Sequence, residues 1–416
     1  MSAPRDELLD TTLPNGLRVV VAHMPQLLTL SVQLRLPLGT IGDPDDAEGL
    51  AVVLHEWFQR GAEERDAREQ ADAFERVGAR RGGGVGRESA ALGMVCLARD
   101  AAAALPLLAG SVVAPRLADD EFEGARQLAL QALAARDDAP NRRLFEAAVA
   151  ARFAAPHGRS AYGRRRHLQR LDPERVRGSV AERVGPAGSV LVMAGGGDPD
   201  ALVSATARAF DAWRGGARRI APPTVRPPGR RRVRSDGAQT HIALVDSAVR
   251  PDEPGWPEQA LAMTALAGAG GSRLWTEVRE RRGLAYEVDS GVHTLAGDAF
   301  RTTVAATAPE RVRETLRVLR RELQRWRRGL DAAELERART LLRASLVLEG
   351  ESSGGRVARL ATDLWRLGRV RTTEEVLGAL EAVTLERVNA FLAERPPLAA
   401  TVVTVGRART RTELAT

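Results

Sequence analysis

The sequence contains no lysine, so all 61 basic side chains in its 416 residues are arginines. The formal net charge is +7 and the pI is near 10.8, values that would suit a nucleic-acid-binding protein. The 54 acidic residues, however, are interspersed with the arginines along helical stretches, as on solvated helix faces with i,i+4 pairs. Only two tyrosines, eight phenylalanines and six tryptophans are present, too few to suggest base-stacking platforms. We therefore predict no nucleic-acid partner.

Cysteine is also scarce. The single Cys96 excludes an internal disulfide framework and a zinc site built from cysteines. No stretch approaches 18 uninterrupted apolar residues, and the first ten residues lack the apolar segment of a secretory signal. We therefore predict a soluble, cytoplasmic protein with no membrane partner.

The first half of the chain contains strands followed by runs of helices. Asn15-Gly16 favours a hairpin turn within residues 12–24. Periodicity predicts further strands at 28–36, 88–98 and 189–197, and helices at 49–59, 66–77, 100–113, 119–135, 141–154 and 198–213. Two glycine-rich runs, at 80–89 and 192–200, lack the spacing of a phosphate-binding loop and are interpreted as turns.

The second half repeats this order. Residues 214–236 are rich in proline, glycine and arginine without apolar periodicity, which is typical of a linker. Strands follow at 240–245, 286–294, 299–306 and 398–406, with helices at 256–267, at 272–282 and between 309 and 393. The segments PERVRGSVAERV and LERVNAFLAERP, at 173–184 and 385–396, match at half the chain length, which indicates a tandem duplication.

The predicted fold is therefore α+β, with two homologous domains, each a sheet covered on one face by helices. The predicted domains are residues 1–213 and 237–416, and 214–236 is the linker between them.

The stretch RERRGLAY, residues 279–286, has the pattern of a helix that stops at Gly283 and a strand that begins at Tyr286. Arg279 and Tyr286 then lie on two elements joined by a tight turn, and both polar groups could face one ligand. On these grounds alone, two ordinary surface residues are the favoured interpretation.

Several motifs in order resemble the pitrilysin/insulinase family of zinc peptidases. They are PNGL, GLAVVL, VGA, DDAP, HGRSAYG and GGSRLWTEVRERRGLAY, and together they span nearly the whole chain. The resemblance implies the metalloprotease-like fold of that family. It also implies an inverted zinc motif, H-x-x-E-H, in the helix that starts at GLA, with a distant glutamate as third ligand.

This sequence departs from the zinc motif at each of its positions. The first metal histidine corresponds to Val52, the general-base glutamate to His55, the second histidine to Glu56 and the distant glutamate to Ala132. Adjacent helical residues point about 100° apart, so His55 and Glu56 cannot chelate one ion from a regular helix. We predict no catalytic residue, metal or cofactor in this chain.

The resemblance also implies a role for the second half. In many relatives one half or subunit supplies zinc, and the other supplies an arginine and a tyrosine, seven residues apart, that hold the peptide. Arg279 and Tyr286 match this pair, so they are the predicted substrate-binding residues of a zinc-lacking subunit. The expected partners are a zinc-bearing chain of the same family, in a heterodimer, and a peptide substrate. The alternative is a structural scaffold, as for the family's core subunits in the respiratory cytochrome bc complex.

Overall fold

The computed structural model describes residues 8–216, 220–395 and 400–407. Its strands are β1 (Leu8–Thr12), β2 (Arg18–His23), β3 (Thr29–Leu36), β4 (Gly61–Ala62), β5 (Arg65–Asp66), β6 (Arg80–Val85), β7 (Ala90–Leu97), β8 (Val190–Gly195), β9 (Arg230–Arg234), β10 (Thr240–Ser247), β11 (Val288–Leu295), β12 (Asp298–Thr307) and β13 (Thr401–Gly406). Residues 398 and 399 of the last predicted strand lie outside the described residues.

The helices agree with most of the predicted segments. They are α1 (Leu50–Phe58), α2 (Ala67–Arg76), α3 (Ala101–Val113), α4 (Asp119–Asp137), α5 (Pro140–Arg152), α6 (Arg165–Leu168), α7 (Pro173–Gly178), α8 (Val180–Arg183), α9 (Pro199–Phe210), α10 (Trp256–Ala267), α11 (Val312–Arg327), α12 (Ala332–Gly350), α13 (Ser353–Leu367), α14 (Thr373–Glu381) and α15 (Leu385–Glu394). A π-helix, Trp275–Glu280, adds to these. None of the helices described is long and apolar enough to cross a membrane.

Side-chain caps fix several helix starts where the sequence predicts them. At α2 the Asp66 carboxylate accepts from the Glu69 backbone N–H at 2.8 Å, and the Glu69 carboxylate accepts from the Asp66 N–H at 3.0 Å. The Asp198 side chain caps α9 by accepting from a backbone N–H, ahead of Pro199 at the first helical position. Such caps stabilise a helix end by about 0.5–2 kcal/mol each, because they satisfy backbone donors that have no partner within the helix.

The two larger sheets have the same topology, apart from the additional edge strand β1 in the first. The first has the order β1-β2-β8-β3-β7-β6, in which only β2 and β8 are parallel neighbours. The second has the order β11-β12-β10-β13-β9, in which only β13 and β9 are parallel. When the second order is read backwards, each of its strands has an equivalent in the first sheet. The equivalent strands are β9 and β2, β13 and β8, β10 and β3, β12 and β7, and β11 and β6. The predicted duplication and the α+β fold class are therefore visible in the strand order.

The chain forms two compact units, and neither is continuous in sequence. The first contains the residues up to Ala135, Ser160–Ala221 and Leu348–Thr373. The second contains Arg136–Arg159, Pro222–Val347 and the residues from Glu374 onward. Each sequence half thus contributes one long helix to the unit built mainly from the other half. The domain boundaries predicted from the sequence, residues 1–213 and 237–416, remain a prediction.

The contributed helices pack on the sheet faces opposite the main helical layers. In the first unit, Val20, Val192 and Ala194 of β2 and β8 pack with Leu360 and Leu364 of α13. The alternate residues of the same strands join the larger core beneath α1, α3 and α9. In the second unit, α5 packs against β10 and β13. Both faces of β8 are covered, so all six of its residues are buried.

Two strands lie where the sequence analysis did not expect them. Arg230–Arg234, within the predicted linker, forms β9, because it completes the sheet beside β13. Arg80–Val85, interpreted as a turn, forms the edge strand β6 against β7. Glycine at position 83 fits this pairing, since a Cβ there would lie 2.1 Å from the Ala91 carbonyl oxygen. In both strands tertiary pairing overrides a local composition typical of loops.

We predict that Leu360→Ala lowers the free energy of unfolding by about 2–5 kcal/mol, because it leaves a cavity between α13 and the sheet. Leu360 is fully buried, whereas Leu348 is 67% exposed and provides the matched control. Urea unfolding of both variants is the measurement. Equal, small effects of the two substitutions would contradict the packing of α13 described above.

Candidate functional site

The segment that carries Arg279 is a π-helix rather than the α-helix that the sequence predicts. The N–H of Arg281 donates to the Thr276 carbonyl at 2.9 Å, five residues back. Leu274 and Val278 are fully buried and hold the inner face of this turn in the core. A π-turn is wider than an α-turn and is frequent at functional sites. Here it places Arg279 on the outer, half-buried face.

The turn after the π-helix is fixed by hydrogen bonds to its carbonyl groups. Gly283 has φ +54°, the left-handed conformation expected of a helix-ending glycine. Arg311 donates to the carbonyls of Arg282 and Gly283, at 3.2 and 2.8 Å. Thr307 Oγ1 donates to the Leu284 carbonyl at 2.7 Å. These bonds connect the turn to β12 and to the segment before α11.

Tyr286 lies in this turn and not in a strand, because β11 begins at Val288. The predicted strand start is therefore two residues too early. Leu284 and Ala285 are buried, but Tyr286 is 76% exposed and is the most exposed aromatic side chain among the described residues. Its ring is held by the Arg279 side chain.

Arg279 is stacked between two aromatic rings. Its Cζ atom lies 3.9 Å from the centroid of the Trp275 ring and 4.4 Å from that of the Tyr286 ring. Each such cation–π contact is worth about 0.5–1 kcal/mol at an exposed site. Within the part of the chain that the structure describes, no carboxylate pairs with Arg279 and no group hydrogen bonds to the Tyr286 hydroxyl. The guanidinium edge and the phenol are both available to a ligand.

The sequence analysis missed Trp275. Its spacing of four residues from Arg279 is the signal that could have found it, since residues at i and i+4 are neighbours on a helix. Trp275 Nε1 donates to Glu280 Oε1 at 3.2 Å, which orients the indole beneath the guanidinium. The predicted pair is thus a group of three side chains.

A cluster of charges around two buried carboxylates lies behind the same π-helix. Glu277 is 5% exposed and accepts hydrogen bonds from Arg281, at 2.5 Å, and from Arg282. Arg321 and Arg325 of α11 lie 3.6 and 3.8 Å from Glu277.

The second carboxylate of the cluster belongs to Glu322, which is fully buried and binds the same two arginines at 3.0 and 2.9 Å. Burial alone would raise the pKa of Glu277, but the hydrogen bond and charge of Arg282, with those of Arg281, hold that pKa below its usual value. Glu277 is therefore an anion that ties the π-helix to α11.

The positions of the zinc motif lie in the first unit, on α1 and α4. The start of α1 is fixed by Asp43, whose carboxylate accepts from the N–H groups of Gly49 and Ala51 at 2.8 and 3.1 Å. Asp43 is in turn paired with the buried Arg183 at 2.8 Å. Gly49 has φ +105°, and a Cβ there would lie 2.5 Å from Leu168 Cδ2, so only glycine fits. The helix that carries the motif in the family is therefore intact here.

The side chains on this helix do not fit a metal. Val52 offers no donor atom, and Ala132, half-buried on α4, offers none either. His55 is 2% exposed, with Nε2 3.1 Å from the Ala91 carbonyl oxygen, so this nitrogen carries the proton and donates to β7. Glu56 Oε1 lies 3.6 Å from His55 Nδ1. No three His, Cys, Asp or Glu side chains among residues 8–216, 220–395 and 400–407 form a group that could hold a metal ion.

Comparison with known proteins identifies the family. The model of the insulinase family, peptidase family M16, matches residues 18–164, and that of the peptidase M16 inactive domain matches residues 170–342. An uncharacterized zinc protease of Mycobacterium tuberculosis is 33% identical over 391 residues, which are 91% of this chain and 89% of the relative. The chain belongs to peptidase family M16. The predicted resemblance to the pitrilysin/insulinase family is thereby confirmed.

Other M16 relatives support the same conclusion. An uncharacterized zinc protease of Streptomyces coelicolor is 27% identical over 93% of this M16 chain and 88% of its own length. A crystal structure of a peptidase M16 inactive domain from Pseudomonas fluorescens superposes with a TM-score of 0.88 at 20% identity, covering 96% of this chain and 98% of the other. A protease from Helicobacter pylori gives a TM-score of 0.84 at 16% identity, covering 96% and 99%. These two structures confirm the predicted fold.

We predict that Glu277→Gln lowers the free energy of unfolding by about 1–3 kcal/mol, the cost of breaking buried hydrogen bonds to a charged group. Glu310→Gln, at an exposed position ahead of α11, is the control and should change it by less than about 0.5 kcal/mol. Because the pKa of Glu277 is depressed in the folded protein, its contribution is present above the ordinary glutamate pKa of about 4.3 and is lost as the pH falls below it. Urea unfolding between pH 7 and about pH 3 measures both effects. A difference between wild type and variant that grows towards low pH would contradict this account.

We also predict that the purified chain retains no stoichiometric zinc, because Val52, Glu56 and Ala132 cannot replace two imidazoles and a carboxylate. Mass spectrometric metal analysis after dialysis is the measurement. About one tightly bound zinc per chain would show that an unforeseen set of donors exists.

Proposed function

We propose that this M16 chain is the non-catalytic, substrate-holding subunit of a cytoplasmic, heterodimeric zinc endopeptidase. Its partner is a zinc-bearing chain of the same family, and the substrate is an unfolded peptide or leader segment. Arg279 and Tyr286 bind that peptide, while the zinc and the catalytic base belong to the partner. The chain itself holds no cofactor.

The observation that carries this proposal is the set of contacts that the Arg279 side chain makes. Its neighbours Arg281 and Arg282 are neutralised by Glu277. Arg279 instead lies between two aromatic rings with no acidic partner among the described residues. Aromatic faces hold a guanidinium in position without using its N–H donors, so those donors stay free for a ligand.

The chemistry of the pair suits a peptide next to a scissile bond. A guanidinium donates several hydrogen bonds in a fixed plane, and a phenol adds one more donor from a different direction. Main-chain carbonyl oxygens accept such bonds, and so does the negatively charged oxygen of a tetrahedral intermediate. Because Arg279 is already oriented by Trp275 and by the π-helix, little ordering is left to occur when the peptide binds.

A second feature of the chain favours peptides over small substrates. Strand β6 is an edge of the first sheet, and its residues between Arg80 and Val85 are mostly exposed. Edge strands present unpaired backbone groups to which an extended peptide can add as a further strand. The three consecutive glycines, 82–84, leave that edge free of bulky side chains.

We predict that Arg279→Ala and Tyr286→Phe each reduce peptide cleavage by the reconstituted complex by about 10²–10³-fold, the usual effect of losing one pre-organised donor to a developing oxyanion. Steady-state cleavage of an unstructured peptide, at matched complex concentration, is the measurement. Tyr286→Phe removes only the hydroxyl and keeps the ring that stacks on Arg279. Zinc content and assembly should be the same as in the wild-type complex.

The exposed Arg313 of α11 supplies the control, since Arg313→Ala removes an equal charge from the same unit. Its cleavage rate should match that of the unmodified complex. If Arg279→Ala and Tyr286→Phe also stay within about twofold of wild type, the substrate-holding role fails. The scaffold alternative would then be preferred.

A further inference from the structure

A pocket of about 250 Å³ lies in the second unit, and none of the residues 279–286 lines it. Its walls come from the end of β10, the start of β12 and the C-terminal turns of α5, α11 and α15. Part of the floor is the middle of α10. Thr401 of β13 lines it as well, so seven elements of one compact unit contribute to the pocket.

Five arginines and a single acidic residue, Asp246, line this pocket. The arginines are Arg152, Arg226, Arg301, Arg327 and Arg395. Two of them are neutralised. Arg301 forms a two-pronged pair with Asp246, at 2.5 and 3.0 Å, and Arg152 pairs with Asp298 at 2.7 Å.

Among the described residues, the other three arginines form hydrogen bonds only with carbonyl oxygens. Arg226 Nε donates to Phe153 at 3.0 Å, Arg395 donates to Ser247 at 3.2 Å, and Arg327 donates to the carbonyl of Arg395. A carbonyl accepts a hydrogen bond without cancelling the positive charge. Three arginines without a carboxylate hydrogen-bond partner in the described part of the chain therefore line a small cavity.

Two further observations concern these arginines. The Nε atom of Arg327 is buried and has no hydrogen-bond acceptor among the described residues. Burial lowers the pKa of Arg395; the charges of Asp246 and Glu253 oppose this effect, and those of Arg301 and Arg327 add to it. Burial therefore makes the charged form of Arg395 less favourable, and a bound anion would relieve that cost.

The remaining surface of the pocket is mostly apolar. Trp326 lies beneath Arg301, whose Cζ atom is 4.6 Å from the indole centroid. Met263, Val245 and Phe391 continue this wall. Pockets that bind small molecules combine such apolar walls with a few convergent polar groups.

We propose that this pocket binds a small organic anion, with a phosphate or carboxylate group held by Arg327 and Arg395 and an apolar body against Trp326. At about 250 Å³ the pocket is slightly below the usual range of roughly 300–1,000 Å³ for ligand sites, so its ligand is a small molecule and not a peptide segment. This site is separate from the proposed peptide-holding pair and does not depend on it.

Isothermal titration calorimetry on the full chain tests the proposal with three probes: phenyl phosphate, benzoate and inorganic phosphate. We expect saturable 1:1 binding of at least one aromatic anion, weakened by added salt because the attraction is electrostatic. Tighter binding of phenyl phosphate than of benzoate would identify a phosphate ligand, and the reverse order a carboxylate. Equal affinity for inorganic phosphate would show that the anionic group alone is recognised.

Three variants test whether the anion binds in this pocket. Arg327→Gln and Arg395→Gln should each raise Kd by about 10–100-fold, the effect of losing one hydrogen bond to a charged group. Arg328→Gln, at the exposed neighbour that does not line the pocket, should leave Kd unchanged. Arg395→Lys keeps the charge but not the planar donor fork, and it serves if the glutamine variant does not fold.

The proposal is overturned if no probe binds saturably up to about 10 mM, which corresponds to less than about 3 kcal/mol of binding free energy. It is also overturned if the two pocket variants bind as tightly as Arg328→Gln. Peptide cleavage plays no part in these measurements, so the anion site can fail while the proposed peptidase role stands.

Discussion

Two buried carboxylates, Glu277 and Glu322, determine the position of the candidate site. Between them they bind four arginines from the π-helix turn and from α11. Removing the two carboxylates from water is costly unless each is paired, so both must stay within reach of these arginines. With Glu277 directed inward, Arg279 two residues later is directed outward. There Trp275 and Tyr286 hold it on either side.

The two halves of this M16 chain keep the same scaffold and differ in chemistry. α1 and α10 each begin after a glycine in the left-handed conformation, Gly49 and Gly255, and both lie against sheets of matching strand order. On α1 the positions of the zinc motif hold Val52 and Glu56 in place of the two metal histidines and His55 in place of the general-base glutamate. His55 is committed to a backbone carbonyl of β7, which makes it part of the packing between α1 and the sheet. At the candidate site of the second unit, the guanidinium of Arg279 and the hydroxyl of Tyr286 have no hydrogen-bond partner among the described residues.

Much of the fold was predictable from local signals. Capping residues such as Asp66 and Asp198, and strand alternation on both halves, place most helices and strands where the structure has them. The duplication is visible in the repeated PERV and LERV segments, and the strand order agrees with it. The Arg279–Tyr286 pair was assigned from the family resemblance, and the turn at Gly283 brings the two side chains together.

The remaining features depend on interactions distant in sequence. β9 exists because Arg230–Arg234 pairs with β13, and β6 exists because glycines tolerate close approach to β7. The exchange of α5 and α13 between the halves leaves no periodic signal. The π-turn arises where the buried Glu277 and Val278 must both face inward, and a pattern with a period of 3.6 residues does not distinguish it from an α-helix.

The central claim is that this chain completes the peptidase site of another chain. The most direct measurement uses a zinc-bearing M16 chain from the same organism and compares cleavage of an unstructured peptide by each chain alone and by the two together. The account predicts negligible cleavage by this chain alone, a 1:1 complex in size-exclusion chromatography, and a rate in the mixture about 10²-fold or more above that of the zinc-bearing chain alone. Full activity of the zinc-bearing chain by itself, with no gain and no co-elution at micromolar concentrations, would contradict it.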